Sequence, residues 1–150
     1  MTKPIDFIKM INTSQTLIGL DFGDKTIGIA VSDKTKTIAT PIMTLKRKSI
    51  IKDIQAIKDI IEEYKVGGAV IGLPLSLSGE ENKSTIKVRK FGKMLQEEII
   101  TTFYDERFST DVIFKELRKN SISSTKIKKK IDQLSAGYIL QGFLDNAKFN

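Results

Sequence analysis

Two apolar stretches, the second of which alternates with polar residues, mark the beginning of the predicted domain. The stretch LIGLDFGDKTIGIAVSD, residues 17–33, reads as two apolar strands joined by a tight turn at Gly23-Asp24. We place the first strand at roughly Thr16–Phe22 and the second at Lys25–Ser32. A third strand follows over Thr35–Met43, so the pattern predicts three antiparallel strands in succession.

The spacing of apolar residues then lengthens to that of a helix. A first helix begins after Ser49, a suitable N-cap, and ends at the sequence KVGG, residues 65–68. Its apolar face consists of Ile50, Ile54, Ile57, Ile61 and Tyr64. The face of a second helix consists of Val88, Phe91, Leu95 and Ile99. Between and after these helices, Ala69–Leu73 and Ile100–Tyr104 predict two further strands, the first a buried parallel one.

The order of elements predicts the fold class. A short helix from Ser109 to about Asn120 and a last helix from about Ser124 to Asp145 complete the order β-β-β-α-β-α-β-α-α. This order predicts an α/β fold with one five-stranded mixed sheet, in which three antiparallel strands are followed by parallel βαβ units and helices cover both faces. Residues 1–15 are interpreted as an irregular or loosely helical extension and residues 16–150 as a single domain.

Composition excludes several kinds of chemistry. The chain of 150 residues contains no Cys and no His, which excludes thiolate catalysis, Ser-His-Asp triads and imidazole zinc sites. Any catalytic acid, base or metal ligand must therefore come mainly from its 18 Asp and Glu residues. Oxygen ligands alone favour Mg²⁺ or Mn²⁺ over zinc.

The net charge of +7 favours a nucleic acid or another anionic partner. Asp6 and Lys9 interrupt the one apolar stretch near the start, so it does not resemble a secretory signal. The sequence has no apolar run of the length that a membrane span requires. We therefore expect a cytoplasmic protein without a membrane partner.

Acidic residues follow the predicted strand ends. Asp21 ends the first strand, and Asp105 and Glu106 directly follow the fifth. Because the carboxyl ends of strands form the natural site of such a sheet, we expect these acids to lie near one another. Asp132 shares a face of the last helix with the small pair Ser135-Ala136, which allows that helix to approach the sheet closely and aim Asp132 at the strand ends.

Each acid also has a purely structural interpretation. Asp21 could cap the hairpin turn, Glu106 could pair with Arg107 or Lys25, and Asp132 could offset the charge of Lys128–Lys130. Converging carboxylates, however, repel one another unless a cation neutralises them. A metal site accounts for all three acids together.

Four blocks of the sequence resemble, in order and spacing, the signature blocks of the YqgF/RuvX family. The blocks are GLDFGDKTIGIAVSD, VIGLPLSLSGEENKSTIKVRKF, YDERFSTDVIFKEL and KKKIDQLSAGYILQGFLD, and the resemblance covers roughly residues 16–145. It implies an RNase H-like fold and a nuclease that acts on precursor 16S rRNA or on Holliday junctions.

The same resemblance implies that Asp21, Glu106 and Asp132 are the catalytic acids and hold Mg²⁺ or Mn²⁺. In a two-metal site the ions lie roughly 3.5–4 Å apart; one activates water and the other stabilises the leaving oxygen. The family usually has arginine where this chain has Thr26, which would remove a phosphate contact or a helper for Asp21, and alanine where it has Ser135. Neither departure changes an acid.

Basic residues near the acids are candidates for contacts with substrate phosphates. The candidates are Lys25, Arg107, Lys126, Lys128, Lys129 and Lys130, and the residues expected to shape the substrate's path are Gly23, Gly72, Pro74 and Asn82. The four lysines between residues 126 and 130 could instead only form the solvent-exposed start of a helix. Arg107 could instead pair with a neighbouring acid. Because the chain has no Trp, we expect recognition of backbone and shape more than base stacking.

Several functions remain open at the level of sequence. We favour a metal-dependent endonuclease in 5′-end processing of pre-16S rRNA, acting on structured RNA as a monomer or weak homodimer. The alternative is a Holliday junction resolvase acting on branched DNA, which requires a two-fold dimer. Two remoter alternatives are an ATP-binding protein of the actin and sugar-kinase type, because LDFGDKTIGIAVSD resembles its first phosphate loop, and an inactive nucleic-acid-binding module.

Overall fold

The elements follow one another as the sequence patterns predict, with one additional helix near the amino terminus. A computed structural model describes residues 2–76, 78–107 and 124–149, and in the last helix the side chains of residues 134–148. The elements are α1 (Pro4–Lys9), β1 (Thr16–Phe22), β2 (Thr26–Ser32), β3 (Ala39–Lys46), α2 (Ile50–Glu63), β4 (Val66–Leu73), α3 (Lys83–Leu95), β5 (Thr101–Asp105) and α4 (Ser124–Phe149).

The five strands form one mixed sheet in the order β3-β2-β1-β4-β5. The pairs β1–β2 and β2–β3 are antiparallel, whereas β1–β4 and β4–β5 are parallel. This confirms the predicted succession of three antiparallel strands and two parallel ones. Since β1, β4 and β5 are parallel, their carboxyl ends lie at the same edge of the sheet.

Apolar side chains on the two faces of the sheet belong to two separate cores. Ile18 and Leu20 on β1 pack with the residues of α2 and α3, while Leu17 on the same strand packs with α1 and α4. The helices therefore cover both faces, as predicted. On β1 the alternation continues beyond Leu20, which assigns Asp21 to the face that α4 covers.

Side-chain caps fix the beginnings of α2 and α3. The Ser49 hydroxyl accepts a hydrogen bond from the backbone N–H of Lys52 at 3.2 Å, which confirms this residue as the N-cap of α2. Asn82 caps α3 in a reciprocal capping box with Thr85. The buried residues of α2 include Ile60, which was not on the predicted apolar face. Tyr64, which was expected on that face, follows the last residue of the helix and is 38% exposed.

The third strand differs from its predicted bounds, because it begins at Ala39 and extends to Lys46. The segment before it forms a turn around Asp33, whose carboxylate accepts hydrogen bonds from Thr35 Oγ1 and from the backbone N–H groups of Thr37 and Ile38. Lys36 within this turn has a φ of 57°. Local hydrogen bonds to an Asp side chain therefore replace strand pairing over residues 35–38.

The fourth strand begins at Val66, three residues earlier than predicted, and so includes two glycines that we interpreted as a helix breaker. The amino-terminal segment explains them: a Cβ on Gly68 would lie 2.6 Å from Ile11 Cδ1. Phe7 and Ile11 are buried against this part of the sheet and α4, and the Phe7 ring packs edge-on against Phe143 at 5.8 Å. Residues 1–15, predicted as an irregular or loosely helical extension, thus include a helix that covers part of the core.

The predicted helix between Ser109 and Asn120 lies outside the described residues. The last helix begins at Ser124 as predicted but continues beyond Asp145 to Phe149. In the part of the chain that the structure describes, no helix is both long and apolar enough to cross a bilayer.

Candidate active site

Asp21 lies where β1 meets α4. Its carboxylate Oδ2 accepts a hydrogen bond from the Ser135 hydroxyl at 2.5 Å. The helix can come this close because the strand has no side chain at residue 19: a Cβ there would lie 2.6 Å from Leu140 Cβ and 3.0 Å from the carbonyl oxygen of Ala136. The close approach expected from Ser135-Ala136 is present, and Gly19 is the residue on the strand that permits it.

Glu106 reaches the same region from the end of β5. Its backbone N–H donates to the carbonyl of Leu73 at 3.2 Å, which extends the pairing of β5 with β4 by one residue. A Cβ on Gly72 would lie 3.0 Å from Glu106 Oε2 and 2.5 Å from Ile139 Cδ1. Gly72 therefore gives the Glu106 carboxylate room to lie over β4.

The surroundings of Glu106 favour its protonated form. Burial is the main cause that raises its pKa to about 7, and the negative charges of Asp21 and Asp105 add to the effect. For the adjacent Asp105 the pKa is lowered, because Arg107 forms hydrogen bonds to its carboxylate. Arg107 Nε lies 3.0 Å from Oδ1 and 2.9 Å from Oδ2 of that group. The described salt bridge of Arg107 is thus with Asp105. The negative charge of Asp21, in contrast, acts on Glu106 and raises its pKa.

A cleft of about 240 Å³ opens at these two carboxylates. Its walls come from the β1–β2 turn, the loop after β4 and the start of α3, and its lining residues are Asp21, Phe22, Gly23, Asp24, Pro74, Ser84, Lys87, Val88 and Glu106. Lys87 Nζ pairs with the Asp24 carboxylate across the cleft at 3.1 Å. The described lining of the cleft thus includes three carboxylates, those of Asp21, Asp24 and Glu106, and the cationic side chain of Lys87.

The structure brings together some of the residues predicted from sequence. Asp21, Glu106, Gly23 and Pro74 line the cleft, and Gly72 lies beneath Glu106. Lys25 is exposed beside the cleft wall, and the Asn82 side chain accepts a hydrogen bond from the backbone N–H of Thr85 as a helix cap. Arg107 pairs with Asp105, which is the alternative considered for it.

The remaining predicted residues lie on α4. Asp132, Lys126, Lys128, Lys129 and Lys130 are within the helix, but their side chains lie outside the described residues. Among the residues that the structure describes, no three His, Cys, Asp or Glu side chains gather as a metal site. Asp132 is one helical turn before Ser135, so its backbone lies near the acid that Ser135 contacts.

Sequence reasoning missed two residues of this site. Ser135 was considered only for its small size, yet its hydroxyl donates to Asp21; its position one turn from Asp132 on the same helix face was the available signal. Asp24 was read only as part of a turn, although it lines the cleft and pairs with Lys87. No sequence pattern could have revealed that pair, whose partners are 63 residues apart.

The donor set suits a divalent cation. Asp21 and Glu106 offer carboxylate oxygens, the ligands that Mg²⁺ and Mn²⁺ prefer. Burial is the main cause of the raised pKa of Glu106, and the charge of Asp21 adds to it; a bound cation would offset that part of the effect which comes from repulsion between carboxylates.

The sequence of the chain matches that of a known protein family over nearly its whole length. The family model described as "RuvX: Holliday junction resolvase" matches residues 15–146, nearly the whole chain. The chain belongs to the RuvX family. A relative from Caldanaerobacter subterraneus subsp. tengcongensis, named "Putative pre-16S rRNA nuclease", is 44% identical over 135 residues, which cover 88% of this chain and 97% of the relative. A relative of the same name from Paramagnetospirillum magneticum is 36% identical and covers 95% of this chain and 94% of its own length.

Solved structures confirm the RNase H-like fold of this RuvX protein. The yeast mitochondrial Holliday junction resolvase Ydc2 superposes with a TM-score of 0.55 over 97% of this chain and 85% of its own, at 12% identity. At this level of identity the likeness concerns the fold alone. It agrees with the mixed sheet and the helices on both faces.

Proposed function

We propose that this chain is a metal-dependent endonuclease that processes the 5′ end of pre-16S rRNA. Membership of the RuvX family makes it a nuclease, a hydrolase of phosphodiester bonds. The observation that carries the proposal is the pair of carboxylates, Asp21 and Glu106, which meet in a cleft at the carboxyl ends of β1 and β5 and are close enough to shift the pKa of Glu106. Paired acids at a strand edge can hold the divalent ions that assist phosphodiester hydrolysis.

Asp21, Glu106 and Asp132 are the residues that would hold the metal. When bound, Mg²⁺ or Mn²⁺ supplies an activated water and stabilises the charge on the leaving oxygen. The chain's own groups prepare the site: the Ser135 hydroxyl orients the Asp21 carboxylate, and Arg107 neutralises Asp105. Gly23, which lines the cleft, adds no side chain beside Asp21, where a phosphate would enter.

The substrate is inferred from the relatives. Those at 36–44% identity carry the name of a pre-16S rRNA nuclease and share nearly the full length of the chain, which supports RNA as the substrate. The second candidate is a Holliday junction resolvase, which the description of the matching family supports. A resolvase must cut two strands symmetrically and therefore has to act as a two-fold dimer.

The experiment compares the two substrates side by side. Purified protein and Asp21→Asn are each incubated with end-labelled RNA that carries the 16S 5′ leader and with a labelled four-way DNA junction, in Mg²⁺ and in excess chelator. We expect Mg²⁺-dependent cleavage of the RNA near the mature 5′ end, absent in the variant. Symmetric cutting of the junction without RNA cleavage would assign the chain to the resolvases, and cleavage of neither would overturn both assignments.

A further inference from the structure

We propose that three exposed lysines, Lys25, Lys46 and Lys48, form a second phosphate-binding surface that takes the RNA strand where it leaves the cleft. We call these residues the basic patch. The inference rests on the proposed function, because it assumes that nucleic acid is cut at Asp21 and Glu106. It extends that function to Lys46 and Lys48, which the cleft does not include.

The strand register places the basic patch beside the acids. Asp21 on β1 is paired with Gly28 on β2, and Gly28 with Thr44 on β3. Directly paired residues lie on the same face of a sheet, as do residues two apart on a strand. Lys46 therefore lies on the same face as Asp21, two strands away and two residues further along β3. Strand spacing and residue rise give a Cα–Cα separation of about 12 Å, which is roughly three to four nucleotides of a stacked strand.

The charges of the basic patch are uncompensated among the described residues. Lys25, Lys46 and Lys48 are exposed, and none of them forms an ion pair with any side chain that the structure describes. Two other cations near the cleft have acidic partners: Lys87 pairs with Asp24, and Arg107 pairs with Asp105. A polyanion that leaves the cleft on this side would therefore meet three uncompensated charges within the described residues.

Arg47 and the buried Asp53 hold the basic patch in place. The Arg47 backbone N–H donates to the carbonyl of Lys25 at 2.9 Å, and its guanidinium donates to the carbonyl of Gly23 at 3.2 Å. The Asp53 carboxylate, 2% exposed, accepts from Arg47 Nε at 3.2 Å and from the backbone N–H of Lys48 at 3.0 Å. Hydrogen bonds thus join the backbone of the turn that forms the cleft wall to the segment that carries Lys48, so little backbone freedom is lost when a strand binds.

A charge-matched pair of variants tests the inference. The patch variant carries Lys25→Gln, Lys46→Gln and Lys48→Gln. The control variant carries Lys9→Gln, Lys34→Gln and Lys65→Gln, exposed lysines at the opposite end of the sheet, and loses the same three charges. Both are made in an Asp21→Asn background, so that labelled RNA and a labelled four-way junction can be bound without being cut.

The measured quantity is the slope of log affinity against log salt. We expect the patch variant to flatten this slope by about 2, because each lost phosphate contact on a single strand contributes roughly 0.7. The control variant keeps the slope of the parent. Equal slopes for the two variants would overturn the inference and leave the basic patch as a solvated surface.

A second measurement uses the unaltered patch and is independent of how the variants fold. Neutral methylphosphonate linkages are placed one at a time along the RNA, and we expect affinity to fall both at the scissile linkage and at a position three to four nucleotides away. A uniform profile beyond the scissile linkage would contradict the inference. Cleavage of RNA or junction by the wild-type chain is scored separately, so failure of the proposed function is distinguishable from failure of the basic patch.

Discussion

Asp105 and Glu106 are adjacent and chemically alike, yet their surroundings drive their pKa values in opposite directions. Arg107 stabilises the charged form of Asp105, while burial and two neighbouring charges favour the protonated form of Glu106. The residues alone could identify an acidic pair at the end of β5 but could not say which member faces Asp21. That choice depends on Gly72 and Arg107, which act through space.

The raised pKa of Glu106 makes the metal-free protein less stable as the pH rises. The folded pKa of about 7 lies above the ordinary value of 4.5, so the folded state binds the extra proton between these values and loses stability as the pH increases through them. Glu106→Gln cannot ionise, and we expect it to be more stable than wild type at pH 8 by on the order of 2–3 kcal/mol. The difference should vanish near pH 4.5.

Thermal or urea unfolding in chelator from pH 4.5 to 8.5 measures this effect. The exposed Glu97→Gln serves as a control, since it removes one carboxylate far from the cleft. Parallel pH profiles for wild type and Glu106→Gln would contradict the assigned environment of Glu106.

Two threonines, Thr44 and Thr85, offer a matched comparison of hydroxyl groups. Thr44 Oγ1 is a buried atom with no hydrogen-bond partner among the described side chains and backbone, whereas the Thr85 hydroxyl donates to the carbonyl of Pro74 and takes part in the cap of α3. Valine has nearly the same shape as threonine but no hydroxyl. We therefore expect Thr44→Val to raise the free energy of unfolding by up to about 1 kcal/mol and Thr85→Val to lower it by roughly 2 kcal/mol. Urea unfolding measures both; destabilisation by Thr44→Val would show that this hydroxyl is satisfied.

At the level of elements, the pattern of apolar residues predicted the bounds of a strand or helix wherever no side-chain hydrogen bond or distant contact determines where the element begins. The strand Thr16–Phe22 has its predicted bounds because it is a short apolar run, buried from Thr16 to Leu20, that ends directly before the turn at Gly23. The pattern of β3 was misleading, because Asp33 forms side-chain hydrogen bonds that alternation does not reveal. Gly67 and Gly68 resembled a helix stop, since their actual cause, contact with the amino-terminal segment, is non-local.

The contact between β1 and α4 controls the position of Asp21 relative to the helix that carries Asp132. In Gly19→Ala the new methyl group would lie 2.6 Å from Leu140 Cβ, so helix and strand must separate. We expect a loss of about 1–3 kcal/mol of stability and a fall in kcat larger than any change in KM. Gly142→Ala is the control on the same helix: its nearest neighbour, the Tyr104 ring at 3.1 Å, can shift, and alanine favours the helix.

Assays of kcat at a temperature where both variants are folded separate the two effects. A Gly19→Ala protein with wild-type kcat would show that the spacing of β1 and α4 does not determine the geometry of the acids.

Over the whole molecule, the site forms where elements from both ends of the chain meet. Asp21 and Glu106 are far apart in the sequence, but the parallel strands β1 and β5 bring them to the same edge of the sheet. The helix α4 packs across the face of the sheet on which Asp21 lies. The sequence contained the acids, and the order of elements predicted their meeting. It could not reveal Ser135 as the partner of Asp21 or Arg47 as the link between two turns, because both contacts depend on the packed structure.

The proposed site draws its acids from three parts of the chain, and this leads to the last prediction. Asp21→Asn, Glu106→Gln and Asp132→Asn each remove one carboxylate from a different element while keeping the shape of the side chain, so each should lower cleavage in Mg²⁺ by at least about 100-fold. Ca²⁺ should not replace Mg²⁺, because its larger and looser coordination shell positions water poorly. The control is Asp59→Asn on the exposed face of α2, which should cleave like wild type. Single-turnover cleavage is measured for the four variants and the wild type, with melting curves to confirm folding. If any two of the three site variants kept near-wild-type rates, the three acids would not form one catalytic site.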